Sequence, residues 1–255
     1  AVGERIPIFS GLGMTETAPS CTFALGNDVR SGDIGLPVPG VDVKLVDDTA
    51  GSGKTEVRFR GPNVMPGYWR MPEQTAAVFD DEGFYRTGDA VVLRDPSDPA
   101  QGLRFDGRIA EDFKLATGTF VSVGPLRGRV IAGGAPYIQD VVVTGLNRKE
   151  VGALVFPTQA VRSLCDLPAD APMDQVLQHR AVREKFQSLV TDLSLTATGS
   201  ANRVARLMLM AEPPSIDLGE VTDKGSINQR AVLKHRDTLV EALYDEAPGH
   251  TVIKP

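Results

Sequence analysis

Two runs in the first half of the chain alternate between apolar and polar positions at period two: Val41-Asp42-Val43-Lys44-Leu45-Val46 and Thr55-Glu56-Val57-Arg58-Phe59-Arg60. A period of two puts successive side chains on opposite faces, so both are expected to be strands with one buried face. Val91-Val92-Leu93 and Leu103-Arg104-Phe105 read as paired strands across a Pro-rich loop, Ile6-Pro7-Ile8-Phe9 as a short buried strand, and Glu73 to Val78 as a short helix. Beyond Arg108 the pattern changes. Phe113-Lys114-Leu115 and Thr119 to Val123 suggest a hairpin about Gly118, and Pro125 to Ile131 a helix start with Pro in its first turn. Ile138 to Thr144 and Val151 to Phe156 are nearly continuous β runs around the polar turn Asn147 to Glu150. Val176 to Leu195 has helical spacing through Val176, Leu177, Val182, Phe186, Leu189, Val190 and Leu193. Val204 to Met210 suits a strand, although its Met and Leu also suit a helix, and Ile227 to Leu243 is expected to be one final helix. The resulting architecture is mixed α/β: a β-rich, distorted barrel-like portion over 1–106 and a small α+β domain over 107–255.

Composition narrows the function classes. At 42% hydrophobic and 24% charged residues the chain has the make-up of a globular protein. Its formal charge of −6 argues against a nucleic-acid partner, which would favour a basic stripe. No apolar run approaches the ~20 residues that cross a bilayer, and no apolar secretory core follows Ala1-Val2-Gly3-Glu4-Arg5. Cys21 and Cys165 make neither a Cys-x-x-Cys pair nor a disulfide framework, so a cytoplasmic protein with reduced thiols is expected. Oligomeric state is not legible.

Four stretches carry candidate chemistry. Ser10-Gly11-Leu12-Gly13-Met14-Thr15-Glu16-Thr17 is a Gly-rich turn with a hydroxyl beside a carboxylate. Glycine lets backbone N–H groups approach phosphate oxygens, a Thr hydroxyl donates, and a Glu holds a divalent cation; a plain helix start fits the same residues. Gly83-Phe84-Tyr85-Arg86-Thr87-Gly88-Asp89 places a carboxylate where paired ribose hydroxyls would be accepted, with Arg108 nineteen residues on as a second nucleotide contact. Lys114 and Gly118 open the following segment. Lys224 lies in a Gly-containing loop before a helix, either as an ordinary exposed lysine or as a mobile charge that neutralises developing negative charge. Two decoys are set aside. Gly51-Ser52-Gly53-Lys54-Thr55 is not a phosphate loop, because Asp48 stands where the first Gly is needed, and it is expected to be a solvated hairpin turn. Asp80-Asp81-Glu82-Gly83 lacks the alternating spacing of a calcium loop and is expected to be a solvated turn.

Taken in order, Gly13-Met14-Thr15-Glu16, Tyr85-Arg86-Thr87-Gly88-Asp89, Gly107-Arg108 with Lys114 and Gly118, and the Lys224 loop resemble the adenylate-forming superfamily of acyl- and aryl-CoA synthetases, peptide-synthetase adenylation domains and luciferases. Glu111 to Thr119 and Val221-Thr222-Asp223-Lys224-Gly225 resemble feruloyl-CoA synthetase-like enzymes in particular. The resemblance implies that residues 1–106 end a large AMP-binding domain and that 107–255 form a small domain that rotates between two half-reactions. A carboxylate attacks the α-phosphate of ATP to give acyl-AMP and pyrophosphate; the thiol of coenzyme A then displaces AMP. By motif, Gly13 and Met14 bind the nucleotide, Thr15 contacts phosphate, Glu16 binds Mg²⁺, Asp89 holds the ribose with Arg108 nearby, and Lys224 stabilises the adenylation transition state. Ala110 marks the hinge, and Lys114 and Gly118 face the site during thioester formation. The chain departs from the family at Ala110, where Asp or Lys is usual, and at Leu12, where an aromatic is usual. An amino-terminal region with the Ser/Thr/Gly-rich phosphate loop is expected to be missing from these residues. Alternatives are a non-catalytic nucleotide- or partner-binding module, or an enzyme that loads a carrier-protein thiol.

Overall fold

The computed structural model describes residues 9–48, 53–222, 225–245 and 251–255. The chain divides into two compact units, Ala1–Ala110 and Glu111–Pro255. In the first unit the strands are β1 (Ser10–Leu12), β2 (Thr22–Ala24), β3 (Asp33–Pro37), β4 (Asp42–Asp47) and β5 (Thr55–Arg60), then helix α1 (Pro72–Val78), β6 (Tyr85–Leu93) and β7 (Leu103–Arg108). They form a seven-stranded sheet in the order β1-β2-β3-β7-β6-β5-β4, with every pairing antiparallel. The sheet is open, not the distorted barrel expected from the sequence. Alternation explains its one-sided core: Val57 and Phe59 are fully buried with Ile34, Val91 and Leu103, while Glu56, Arg58 and Arg60 point to the other face.

Three local expectations change. Residues 6–8 of the expected first strand lie outside the described residues, and Phe9 is exposed. Gly51 and Ser52 also lie outside, but Lys54 is not solvated: it is 5% exposed, pairs with the Asp106 carboxylate at 3.4 Å and donates to the Asp106 carbonyl. A buried ammonium needs a partner, and β7 supplies it. The acidic turn is not fully solvated either. Asp80 accepts the Phe84 and Glu82 N–H groups and pairs with Lys44 at 3.0 Å and Arg58 at 3.1 Å. Burial pushes its carboxyl up, but those donors outweigh it and hold the group well below the usual carboxylate range.

The second unit contains β8 (Phe113–Lys114), β9 (Phe120–Val121), α2 (Val123–Gly134), β10 (Ile138–Thr144), β11 (Val151–Pro157), α3 (Met173–Gln178), α4 (Arg180–Leu195), β12 (Val204–Leu209), α5 (Gln229–His235), α6 (Asp237–Tyr244) and β13 (Val252–Ile253). Strands β10-β11-β12-β13 form one sheet, with β11 and β12 parallel and the other pairs antiparallel. The near-continuous apolar runs follow from burial on both faces. Val141, Val143, Ala153 and Val155 pack with α2 and α4, whereas Val142, Leu154 and Phe156 pack with α5 and α6.

Both long expected helices are interrupted. His179 takes an extended conformation and its Nδ1 accepts the Ala181 N–H at 3.3 Å, so it ends α3 and caps α4. Arg236 separates α5 from α6, its guanidinium drawn inward to Glu220. Apolar spacing alone registers neither break, because the buried positions continue in phase. β13 was too short to read.

Candidate functional site

The Thr-Glu turn is a single 3₁₀ turn over Thr15–Thr17 that follows β1. Its two threonines divide the work. Thr17 is fully buried; its Oγ1 accepts the Met14 N–H at 3.0 Å and donates to the Met14 carbonyl at 3.1 Å, closing the turn. Thr15 is exposed, with its hydroxyl available to a ligand. Gly13 is required sterically: a Cβ there would lie 1.8 Å from the Pro19 carbonyl oxygen. Beneath the turn, Asn63 Nδ2 donates to the carbonyls of Thr17 at 3.1 Å and Ser20 at 2.7 Å. Leu12 packs against the core of the first unit.

Glu16 is held at both ends of the residue. Its carbonyl accepts the Met65 N–H at 2.8 Å, and its Oε1 accepts the Tyr68 hydroxyl at 2.9 Å. Tyr68 also interacts with the hydroxyl of Tyr85, whose ring sits edge-on to Phe79 with centroids 5.8 Å apart. Burial pushes the Tyr85 hydroxyl well above the ordinary phenol value, and the bond to Tyr68 and the negative charges of Glu16 and Asp89 add to it. Tyr85 therefore stands between the two sequence-predicted carboxylates and brings the first two motifs into one neighbourhood.

Asp89 occupies an irregularity in β6, where the register shifts against both neighbours: between Asp89 and Val91 on the β7 side, and between Glu56 and Arg58 on the β5 side. Gly88 has φ +70°, a left-handed conformation that disfavours any side chain. Glu56 accepts the Gly88 N–H at 3.0 Å, Thr87 Oγ1 donates to the Val57 carbonyl at 2.6 Å, and the Asp89 N–H donates to Thr87 Oγ1 at 3.0 Å. Arg58 orients Glu56 at 2.7 Å and is itself tied to Asp80. Asp89 is 5% exposed and lies opposite Arg108 in the ladder, with Arg108 Nε 3.5 Å from its Oδ1. The Arg108 side chain is 66% exposed, so it covers the carboxylate while remaining open to an anion. β7 ends there; the 3₁₀ turn Ile109–Glu111 follows, with Ala110 exposed at the end of the first unit.

The second unit holds the remaining candidates separately. Gly118, at φ +82°, makes the tight turn between β8 and β9, and its N–H donates to the Leu115 carbonyl at 2.8 Å. Lys114 is exposed, with Nζ 5.3 Å from the centre of the Phe120 ring. Lys224 and Asp223 lie outside the described residues. On either side of them, Thr222 and Ser226 are joined by a backbone bond of 2.8 Å and a hydroxyl pair at 2.8 Å, and Gly225 has φ +78°. At the base, Glu220 is 1% exposed and takes a bidentate grip from Arg236 at 3.0 and 2.8 Å. Arg236 holds the Glu220 carboxyl below its ordinary value, against burial, which raises it.

Sequence reasoning missed Tyr68, Asn63, Glu56, Glu220 and Arg236. Only the Gly67-Tyr68-Trp69 turn carried a local signal, since the other four act through residues distant in sequence.

Residues 1–69 match the family model for the AMP-binding enzyme, and residues 113–248 match that for the AMP-binding enzyme C-terminal domain. A chloroplastic long-chain-fatty-acid–acyl-carrier-protein ligase of Arabidopsis thaliana is 26% identical over 92% of this chain and 32% of its own length. A long-chain-fatty-acid–CoA ligase of Mycobacterium bovis is 25% identical over 96% of this chain and 39% of its own. The adenylation domain of a carboxylic acid reductase from Segniliparus rugosus, solved with AMP and a co-purified carboxylic acid, superposes with a TM-score of 0.68 at 26% identity, over 92% of this chain and 35% of that one. The chain thus spans no more than about two fifths of the length of these curated relatives. With its second unit matched along most of its length, and with an adenylation-domain fold, the chain belongs to the AMP-binding enzyme family.

Proposed function

We propose that the chain is the carboxy-terminal part of an ATP-dependent acid–thiol ligase that forms acyl-AMP and then the coenzyme A thioester. The observation that carries this reading is the joining of Glu16 and Asp89, seventy-three residues apart in sequence, around Tyr68 and Tyr85, with Arg108 over Asp89. Asp89 presents an acceptor for ribose hydroxyls, Arg108 an exposed cation, and Thr15 an exposed donor for phosphate.

Among the described residues no three His, Cys, Asp or Glu side chains cluster as a metal cage. A single carboxylate nevertheless fits Mg²⁺, which is usually held by one or two carboxylates together with substrate phosphates. Glu16 is that carboxylate, half-buried and fixed on Oε1 by Tyr68. When bound, the ion neutralises charge on the phosphates. In the first step a carboxylate oxygen bonds to the α-phosphorus and pyrophosphate leaves; Lys224 is assigned to stabilise that transition state. In the second, the thiol sulfur bonds to the acyl carbon, AMP leaves and the thiol proton passes to solvent. Lys114 and the Gly118 turn are assigned to this step, with Ala110 as the hinge between the parts 1–106 and 107–255.

The acid is proposed to be a phenylpropenoic acid such as ferulate, on the likeness of the Glu111–Thr119 and Val221–Gly225 runs to feruloyl-CoA synthetase-like enzymes. Long-chain fatty acids are the competing class, since the Mycobacterium bovis relative is named for them. Acyl transfer to a carrier protein is the second reading of the acceptor, favoured by the Arabidopsis relative. The ligase is assigned to the cytoplasm, consistent with Cys21 and Cys165 as unpaired thiols. The test is a panel of aromatic and long-chain acids with ATP and either coenzyme A or carrier protein on the complete protein, scoring AMP and thioester. No acid-dependent AMP formation across the panel overturns the ligase reading.

A further inference from the structure

The hydrogen bonding around Glu16 extends beyond the motif that drew attention to it. Tyr68 is half-buried and aimed by its own neighbours: its N–H donates to Thr75 Oγ1 at 2.9 Å, and the same Oγ1 donates to the Met71 carbonyl at 2.9 Å in the first turn of α1. Gly67 permits this approach, because a Cβ there would meet the Thr75 side chain at 2.6 Å. The turn preceding α1 is thus locked to the helix, and the Tyr68 hydroxyl reaches across fifty-two residues to Glu16 Oε1 at 2.9 Å. Three residues before Tyr68, the Met65 N–H donates to the Glu16 carbonyl at 2.8 Å. One short segment therefore holds both the backbone and the side chain of the candidate cation ligand.

We infer that Tyr68 is a positioning residue, whose hydroxyl fixes the Glu16 carboxylate that takes the cation of the nucleotide. This rests on the reading of Glu16 proposed above. A carboxylate on a flexible stem samples several rotamers; a charge-assisted hydrogen bond to one oxygen selects one of them and leaves the other oxygen for the ion. Tyr85 lies on β6 four residues before Asp89, on the strand that carries the proposed ribose acceptor. Tyr68 touches neither reacting atom, and its contribution passes through Glu16.

The experiment uses the complete protein and the variants Tyr68→Phe, Thr75→Ala and Glu16→Gln. Each is measured for Mn²⁺ binding in the presence of ATP by electron paramagnetic resonance, and for AMP binding without divalent cation by calorimetry. Tyr68→Phe is expected to weaken Mn²⁺–ATP binding about tenfold, the loss of one well-made charge-assisted bond, while AMP affinity stays unchanged. Thr75→Ala, which loosens Tyr68 without touching Glu16, is expected to move Mn²⁺–ATP binding in the same direction by less. A purely structural role would lower both affinities together or neither, and either result overturns the inference. Glu16→Gln separates the two readings: if it abolishes the Mn²⁺ dependence and Tyr68→Phe leaves it intact, positioning by Tyr68 fails alone. If Glu16→Gln also leaves it intact, the assignment of Glu16 to the cation fails first.

Discussion

Arg236→Ala tests the second unit at its most heavily committed charge. Arg236 gives Glu220 two hydrogen bonds, at 3.0 and 2.8 Å, and two more to the carbonyls of Glu212 and Pro213 at 3.0 and 2.8 Å. Its guanidinium also lies 5.0 Å from the centre of the buried Phe156 ring. Truncation leaves the Glu220 carboxylate buried, with the backbone N–H of Ser215 at 2.8 Å as its remaining hydrogen-bond donor among the described residues. Breaking a buried pair from one side costs about 3–5 kcal/mol. In a unit of this size that is a fall in melting temperature of roughly 6–20 °C. The sign of the pH dependence sharpens the test. In the parent chain the Glu220 carboxyl is held below its unfolded value of 4.5, so the pair's stabilisation is present above that value and lost as pH falls through the folded one. Without Arg236, burial dominates and raises the carboxyl, so protonation relieves the buried charge and the variant recovers ground on acidification from pH 7 to 5. Urea unfolding of the whole chain by circular dichroism gives the free energies, and hydrogen exchange over residues 204–245 localises them. The double change Glu220→Gln with Arg236→Met, which removes both charges, is expected to cost less than Arg236→Ala alone. A loss below about 1 kcal/mol, or a loss that does not vary with pH, refutes the assignment of Arg236 and Glu220 as a buried, mutually dependent pair.

Further outcomes are expected at five other positions. In the complete protein, Asp89→Ala weakens AMP binding by roughly 10- to 100-fold through loss of a charged acceptor worth about 1.5–3 kcal/mol; unchanged affinity by calorimetry removes Asp89 from the ribose. Lys224→Ala slows adenylation by at least ~10²-fold while thioester formation from preformed acyl-adenylate falls much less; equal losses in the two half-reactions count against the role. Gly88→Ala forces a Cβ into the left-handed region at a cost of about 1–2 kcal/mol, read as a lower urea midpoint accompanied by weaker AMP binding. Gly13→Ala places a methyl 1.8 Å from the Pro19 carbonyl oxygen, so it lowers stability and disorders the Thr-Glu turn, whereas Thr15→Ala, at an exposed position, leaves the urea midpoint within about 0.5 kcal/mol of the parent.

Much of the fold was legible because each strand wrote its burial into its own composition. Val57 and Phe59 announce a one-sided sheet by alternation, and Val141-Val142-Val143 a two-sided one by its absence. The breaks at His179 and Arg236 were not legible, since an apolar phase continues across a cap whose cause is a side-chain bond to Ala181 or Glu220. Lys54 and Asp80 were misread for a related reason. Charged residues beside glycines usually face water, but here Asp106, Lys44 and Arg58 arrive from other strands and make burial tolerable. The candidate contacts in the first unit were found by residue type, whereas Tyr68, Asn63 and Glu56 became visible only once the chain had closed on itself.

That division follows from what the proposed nucleotide site demands. A side chain that meets a ligand must have the right chemistry, so it is conspicuous in sequence whether it is exposed, as Thr15 is, or buried, as Asp89 is. Its aim must then come from elsewhere. Thr15 is exposed, and the buried Thr17 two residues on shapes its turn. Glu16 takes its orientation from Tyr68 and the Gly88–Asp89 kink from Glu56 and Arg58, while Glu220, gripped by Arg236, accepts the Asn228 N–H on its carbonyl at 2.8 Å. Each aiming group is itself fixed by at least one further polar partner. Because these partners lie in separate stretches of chain, substitutions there are expected to alter affinity and positioning while the contact residues remain chemically intact. A Tyr68→Phe protein with normal AMP binding and impaired cation–nucleotide binding would be the first separation of aim from contact in this site.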